Sequence, residues 1–250
     1  MERTDLHVHT CYCDGKDEPE DIILEAIRLG MTTLGFSSHA WAECCTGWCM
    51  SQENTEKYIH RIHELQKKYC NRIRILLGTE WDHFSEGDRS RYDYIIDSVH
   101  FLCCEGEYVP VDESAEDLRS AADRLYGGDM LPLIRQYYEL VGSIADRPDP
   151  GIVGHFDLIT KFSEKADLFS MEDPEYRKAW QTAADKLLAA GCTFEINTGA
   201  IARGYRTDPY PSSEILDYLK SHGASLVLNS DAHCKENLMF AFERYESLLR

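Results

Sequence analysis

Short apolar runs recur along the chain, separated by longer stretches in which apolar positions return every three or four residues. The short runs, residues 4–9, 32–37, 72–79, 92–99, 151–154, 192–197 and 225–229, predict strands, and the stretches between them predict helices. Asp17-Glu18-Pro19-Glu20 puts acids and an early proline ahead of Ile22, Ile23, Ala26 and Ile27, with Gly30 as the stop. Pro174 opens a helical run that ends at Gly191. Pro211-Ser212 precede another, whose Ile215, Leu216 and Leu219 share one face before Gly223. Residues 114–146 read as two helices between the fourth and fifth strands. Repeated β-then-α units predict parallel strands with right-handed crossovers, and seven of them predict closure, or near closure, into a barrel. An open doubly wound sheet is the architectural alternative.

What ends each strand changes the picture. The residues there are His7 and His9, His39, Glu80, His100, His155, Asn197, and Asp231 with His233. In a parallel barrel all C-terminal strand ends open onto one face, so residues far apart in sequence would meet. His7 and His9 lie two apart on a strand, which puts both imidazoles on one face. Asp231 and His233 repeat that spacing. Taken singly, each has an ordinary reading: a buried, satisfied histidine, or a solvated acid at a strand end. Glu80 follows the apolar run 73–77, where a carboxylate has no packing role but could bridge two cations with its two oxygens. Together these strand ends predict a metal site, and mixed imidazole and carboxylate ligation suits zinc, iron or manganese. His60 and His63, in a polar helix, and His222, at a helix C-terminus, are assigned structural or surface roles. His83 is left open.

Composition narrows the partners. A chain of 250 residues with 43% hydrophobic content is long enough for one large core, and residues 1–250 are expected to form a single domain. No stretch reaches the roughly 18 apolar residues of a membrane span, and His7 and His9 come before any secretory apolar region could fit. A cytoplasmic location is expected, with most of the ten cysteines reduced. Cys11 and Cys13, and Cys44, Cys45 and Cys49, lack a matching second half for structural zinc. A formal charge of −18 opposes a nucleic-acid backbone. The expected partner is a small molecule, with no membrane and no nucleic acid; the oligomeric state is open. Residues 146–150 read as a loop.

Asp5-Leu6-His7-Val8-His9-Thr10, Ser38-His39, Gly78-Thr79-Glu80, Ser98-Val99-His100-Phe101, Gly154-His155-Phe156-Asp157 and Ser230-Asp231-Ala232-His233 occur in this order. In that order they resemble the PHP (polymerase and histidinol phosphatase) family, and more closely its histidinol-phosphatase branch. Val109-Pro110-Val111-Asp112 and Asn197-Thr198 followed by Tyr210-Pro211-Ser212 support the branch, and the match runs from about Thr4 to the C-terminal helix. The resemblance implies an α/β fold, a distorted seven-stranded (β/α) TIM-like barrel with three divalent metal ions. It implies His7, His9, Glu80 and Asp231 on the first ion, and Glu80, His100 and His155 on the second. The third would take His39, His233 and a residue just after the first strand. There Asp14 stands where relatives usually carry a histidine, and Ser38 replaces the acid that often precedes His39.

The implied activity is a metal-dependent phosphomonoesterase that hydrolyses L-histidinol phosphate in histidine biosynthesis. A catalytic metal brings bound water from about 15.7 to about 7, which supplies a bridging hydroxide at neutral pH without a side-chain nucleophile. Glu80, Asp231 and His233 would carry catalysis. Arg203, favoured by the resemblance, or Arg206 would hold phosphate oxygens with a planar fork, while a solvated loop charge is the alternative for either. Lys161 is a weaker candidate. Trp41 is singled out for the substrate, among mouth-loop residues that also include Trp48, Trp81, Glu43, Asp82 and Glu105. The rival readings are a PHP phosphoesterase for another monoester or nucleotide, an amidohydrolase-type barrel, and an inert metal-binding interaction module.

Overall fold

The computed structural model describes residues 3–45 and 47–249. Its strands in chain order are β1 (Thr4–Asp5), β2 (Thr33–Phe36), β3 (Arg74–Asp82), β4 (Tyr94–Ser98), β5 (Phe101–Cys104), β6 (Glu107–Pro110), β7 (Ile152–Val153), β8 (Thr193–Asn197) and β9 (Ser225–Asn229). Seven of them form one sheet in the order β1-β2-β3-β4-β7-β8-β9, parallel at every step. The sheet closes on itself. Val8 bridges Ala232 in parallel, with His9 N donating to Ala232 O at 2.9 Å and Ala232 N to His7 O at 3.0 Å. That closure excludes the open sheet and binds the His7/His9 segment to the Asp231/His233 segment.

The seven predicted strands are all present; β9 has the predicted ends, and the others are altered at one end or both. β1 stops at Asp5 rather than running to residue 9, because side chains take over its backbone donors: Leu6 N donates to Asn229 Oδ1 and Val8 N to Ser37 Oγ. β3 runs three residues further than predicted, so Glu80 lies within it. It pairs β2 through Arg74–Leu77 and then β4 through Gly78–Asp82, handing over from one neighbour to the other. The antiparallel hairpin β5–β6 was not foreseen. Its two-residue turn, Glu105 (φ 52°) and Gly106 (φ 86°), has the left-handed backbone that tight hairpins require, but the apolar alternation is obscured by Cys103 and Cys104.

The α-helices among the described residues are α1 (Pro19–Arg28), α2 (Gln52–Tyr69), α3 (Ala115–Tyr126), α4 (Leu131–Gly142), α5 (Pro174–Ala189), α6 (Gly199–Ala202), α7 (Ser213–Ser221) and α8 (Phe242–Tyr245). Ser51, Ser114 and Asp173 each accept a backbone N–H in the first turn of α2, α3 and α5, which satisfies otherwise orphaned donors. The residue 114–146 region holds two helices, as predicted. Apolar faces of the helices pack on the outside of the barrel; the inside carries Asp5, His7, Glu80, Glu195 and Asn229 instead, all buried. No described helix is long and apolar enough to cross a membrane. All ten cysteines are free thiols.

Tyr94 fills the N-terminal end of the barrel, its hydroxyl donating to Leu6 O at 2.5 Å and Phe36 O at 3.0 Å. Gly78 leaves room for it: a Cβ there would stand 2.3 Å from Tyr94 Cζ. Gly78→Ala should therefore cost about 1–3 kcal/mol by overpacking, read from urea unfolding. A variant as stable as the wild type would show that Tyr94 does not occupy the barrel interior.

Candidate metal centre

The C-terminal ends of the strands bring the predicted residues together around one carboxylate. Glu80 is 1% exposed, projecting from β3 into the barrel. His7 Nε2, His9 Nε2 and His39 Nδ1 stand 3.0, 3.4 and 3.1 Å from its Oε2. His100 Nε2 and His155 Nε2 stand 3.3 and 2.8 Å from Oε1, and Ser98 Oγ donates to Oε1 at 2.7 Å. Five imidazoles and a hydroxyl thus crowd a group with about four acceptor sites. His9 Nε2 is buried and has no hydrogen-bond partner. Asp231 Oδ1 lies 3.2 Å from His9 Nε2 and 3.6 Å from His7 Nε2.

These distances fit cations. Two donors about 2.1 Å from one ion, at roughly 90–110° to each other, stand ~3.0–3.4 Å apart. Burial, opposed in part by nearby carboxylates, holds His9 down at about 4 and His39 at about 3, the neutral form that binds a metal. For His7 and His100, burial is outweighed by Glu195 and Glu80 respectively, and the imidazoles rise well above their usual range. Glu80 and Asp231 are driven well below theirs: burial opposes ionisation but loses to His7 and His39 beside Glu80, and to Arg203 and His7 beside Asp231.

Next to this group lies a second one. Asp14 reaches His233 Nε2 at 3.0 Å, His9 Nδ1 at 3.6 Å and His39 Nε2 at 3.7 Å. Candidate donor atoms therefore gather in three overlapping sets: His9, Asp14, His39 and His233; His7, His9 and Glu80; and His39, Glu80 and His100. Asp14 comes from the loop after β1 and stands among three imidazoles. His233 Nδ1 is 3.0 Å from both Asp231 O and Arg203 Nη1. A guanidinium only donates, so these contacts are alternatives. The tautomer that donates Nδ1–H to Asp231 O leaves Nε2 free as a ligand.

A supporting layer escaped the sequence reading. Glu195, in the middle of β8, accepts from His7 Nδ1 at 2.9 Å, from Asn197 and Asn229 side-chain amides at 2.8 Å each, and from His155 N at 2.8 Å. Asp5 accepts from Ser230 N at 3.1 Å and Met239 N at 3.1 Å. Asp82, read only as a mouth-loop candidate, holds His100 through N at 2.7 Å and Nδ1 at 3.2 Å. For Glu195 the available signal was an acid between two apolar residues, Phe194 and Ile196, inside a strand. Asn197, noted as a strand end, belongs to this layer.

Above the donors opens a cavity of about 300 Å³, lined by Asp14, His39, His100, Asp231 and His233 on one side and by Trp48, Phe101, Asp112, Lys161, Arg203 and Tyr205 around the rim. Arg203 lies there, bound to Asp231 Oδ2 at 2.9 Å. Two residues expected at the substrate are elsewhere. Trp41 lines a separate cavity with Trp81 and Tyr92, because the chain turns at Ala40, whose N donates to Glu80 O. Trp48 takes the mouth position, edge-on to His39 at 4.5 Å and stacked on Phe101 at 5.9 Å. Arg206 is buried against Tyr210 at 4.4 Å and pairs Asp157 at 3.7 Å, so its charge serves the wall. Of the remaining histidines, His83 is half-buried with Nδ1 unpartnered, while His60 is exposed.

Fold and site together define a parallel (β/α) barrel with a multi-donor metal site at its C-terminal face. The chain belongs to the PHP domain family, whose model matches residues 5–199. It is 28% identical over 255 residues to a probable histidinol-phosphatase of Deinococcus radiodurans, covering 95% of this chain and 89% of that one. Its fold matches a putative histidinol phosphatase of Listeria monocytogenes with TM-score 0.82 and 22% identity, covering 97% and 99% of the two chains. It also matches the histidinol phosphate phosphatase of Lactococcus lactis, solved with zinc, L-histidinol and phosphate, with TM-score 0.74 and 20% identity over 99% and 92%.

Glu195→Gln removes the charge that orients His7, and outer partners of this kind are worth about 10–100-fold in metal affinity. Chelator competition should show a loss of that size. Unchanged affinity would assign Glu195 to packing alone.

Proposed function

We propose that this chain hydrolyses L-histidinol phosphate to L-histidinol and phosphate, in the cytosol, as a step of histidine biosynthesis. The observation that carries the reading is the Glu80 carboxylate shared between imidazoles of two donor sets at the floor of a cavity that also holds Arg203. The family, the histidinol-phosphatase relative, and the Lactococcus protein's zinc, histidinol and phosphate support it. The small cavity and the charge of −18 favour a small phosphomonoester over a nucleic acid.

Three divalent ions fit the donors: one at His7, His9, Glu80 and Asp231, a second at Glu80, His100 and His155, and a third at Asp14, His39 and His233. Bound there, such ions provide an activated water near neutral pH and neutralise phosphoryl charge. The protein supplies the rest. Glu195 and Asp82 orient His7 and His100. Arg203 keeps N–H groups beyond those given to Asp231, and its planar fork suits phosphate oxygens. Trp48, Phe101 and Tyr205 narrow the mouth and limit water.

On protein with its metals quantified, kcat/KM for L-histidinol phosphate should exceed that for p-nitrophenyl phosphate by about a hundredfold or more. A clear preference for a different monoester sinks the substrate assignment. Glu80→Gln should lower kcat by about a thousandfold, equivalent to ~4 kcal/mol, while circular dichroism stays native. Near-wild-type turnover in a folded, metal-replete Glu80→Gln protein would remove the bridging role.

A further inference from the structure

Two carboxylates in the cavity have no place among the metal donors. Asp112 and Glu113 follow the hairpin, and both line the cavity wall. Neither comes within 4.0 Å of any imidazole; among the described residues the one ion pair made by either is Asp112 with Lys161. The segment is held in place by Val111 N donating to His100 O at 2.9 Å. Acids facing a phosphate-binding cavity repel the phosphate, so they need a cationic counterpart.

Lys161 is only part of that counterpart. Its Nζ donates to Asp112 O at 2.6 Å and Oδ2 at 3.0 Å, and lies over the Tyr205 ring at 4.7 Å. With only 8% exposure and its charge spent on Asp112, it is poorly placed to bind phosphate. Asp112 Oδ1, by contrast, has no hydrogen bond among the described residues, and Glu113 next to it is exposed and unpaired. The wall beside them carries the stacked rings of Trp48 and Phe101.

We infer that Asp112, positioned by Lys161 and backed by Glu113, is the specificity residue that binds the ammonium group of the phosphorylated amino alcohol. This rests on the functional reading above. L-Histidinol phosphate carries its amine on the carbon next to the ester carbon, so with the phosphoryl group over the donor floor the amine turns toward the wall. A charge-assisted contact from Asp112 Oδ1 then distinguishes this substrate from monoesters lacking an amine. Lys161 keeps the carboxylate ionised and its rotamer fixed.

The test compares L-histidinol phosphate with its amine-free analogue, 3-(imidazol-4-yl)propyl phosphate, on the metal-replete enzyme. The wild type should favour the amine-bearing ester, and Asp112→Asn should reduce the ratio of the two kcat/KM values by about ten- to a hundredfold. The loss should fall mainly on KM, with inhibition by L-histidinol weakened in parallel. Lys161→Met should lower the ratio by less than Asp112→Asn does, because Oδ1 remains but is held less firmly. A ratio in Asp112→Asn within about threefold of wild type overturns the inference. So does a loss in Lys161→Met as large as in Asp112→Asn, which would make the pair a structural clasp. A wild type that hydrolyses both esters equally overturns the inference alone. One that ignores L-histidinol phosphate overturns the functional reading and the inference together.

Discussion

A single buried carboxylate sets the terms for the rest of the molecule. Glu80 is almost wholly removed from water, and an isolated ionised carboxylate in such a place costs several kcal/mol. Around it the barrel assembles imidazoles from the segments after β1, β2, β4 and β7, with one hydroxyl from β4 itself. Those imidazoles outnumber the positions at which Glu80 can accept hydrogen bonds. Cations held between nitrogen and oxygen would satisfy both sides and turn mutual crowding into ligation. The closure between Val8 and Ala232 brings the first and last donors of the chain to the same place.

A second layer holds this cluster in register. Glu195 collects His7, Asn197, Asn229 and the backbone of His155. Asp5 ties the first strand to Ser230, one residue ahead of Asp231. Asp231 itself adopts φ 51°, a conformation that disfavours a side chain and is typical of backbone strained at a functional site. Its compensation is visible: Arg203 binds both its carboxylate and its carbonyl. Beneath these layers Tyr94 closes the barrel, so the polar interior faces one opening.

Legibility followed local pattern. Strand identity and the residues at strand ends were readable, because burial on both faces leaves continuous apolar runs and a ligand interrupts them. Arg203 and Arg206 illustrate the limit. Both lie in the same polar loop, yet one turns to Asp231 and the other packs on Tyr210. Trp41 and Trp48 divide likewise between two cavities. The hairpin was hidden because Phe101-Leu102-Cys103-Cys104 lacks a clean alternation. Glu195 was passed over since one acid in a short strand has no periodic signature.

By itself the sequence determined an alternating α/β chain, the family, and the set of imidazoles and acids competent to bind cations. These are properties of residue type and spacing along one element. The tertiary structure alone decided which donors share Glu80, that Asp14 completes the second cluster, and which arginine, tryptophan and acid face the cavity. Those choices depend on the angle at which loops leave separate strands, and barrel closure sets that angle through contacts between segments more than 200 residues apart.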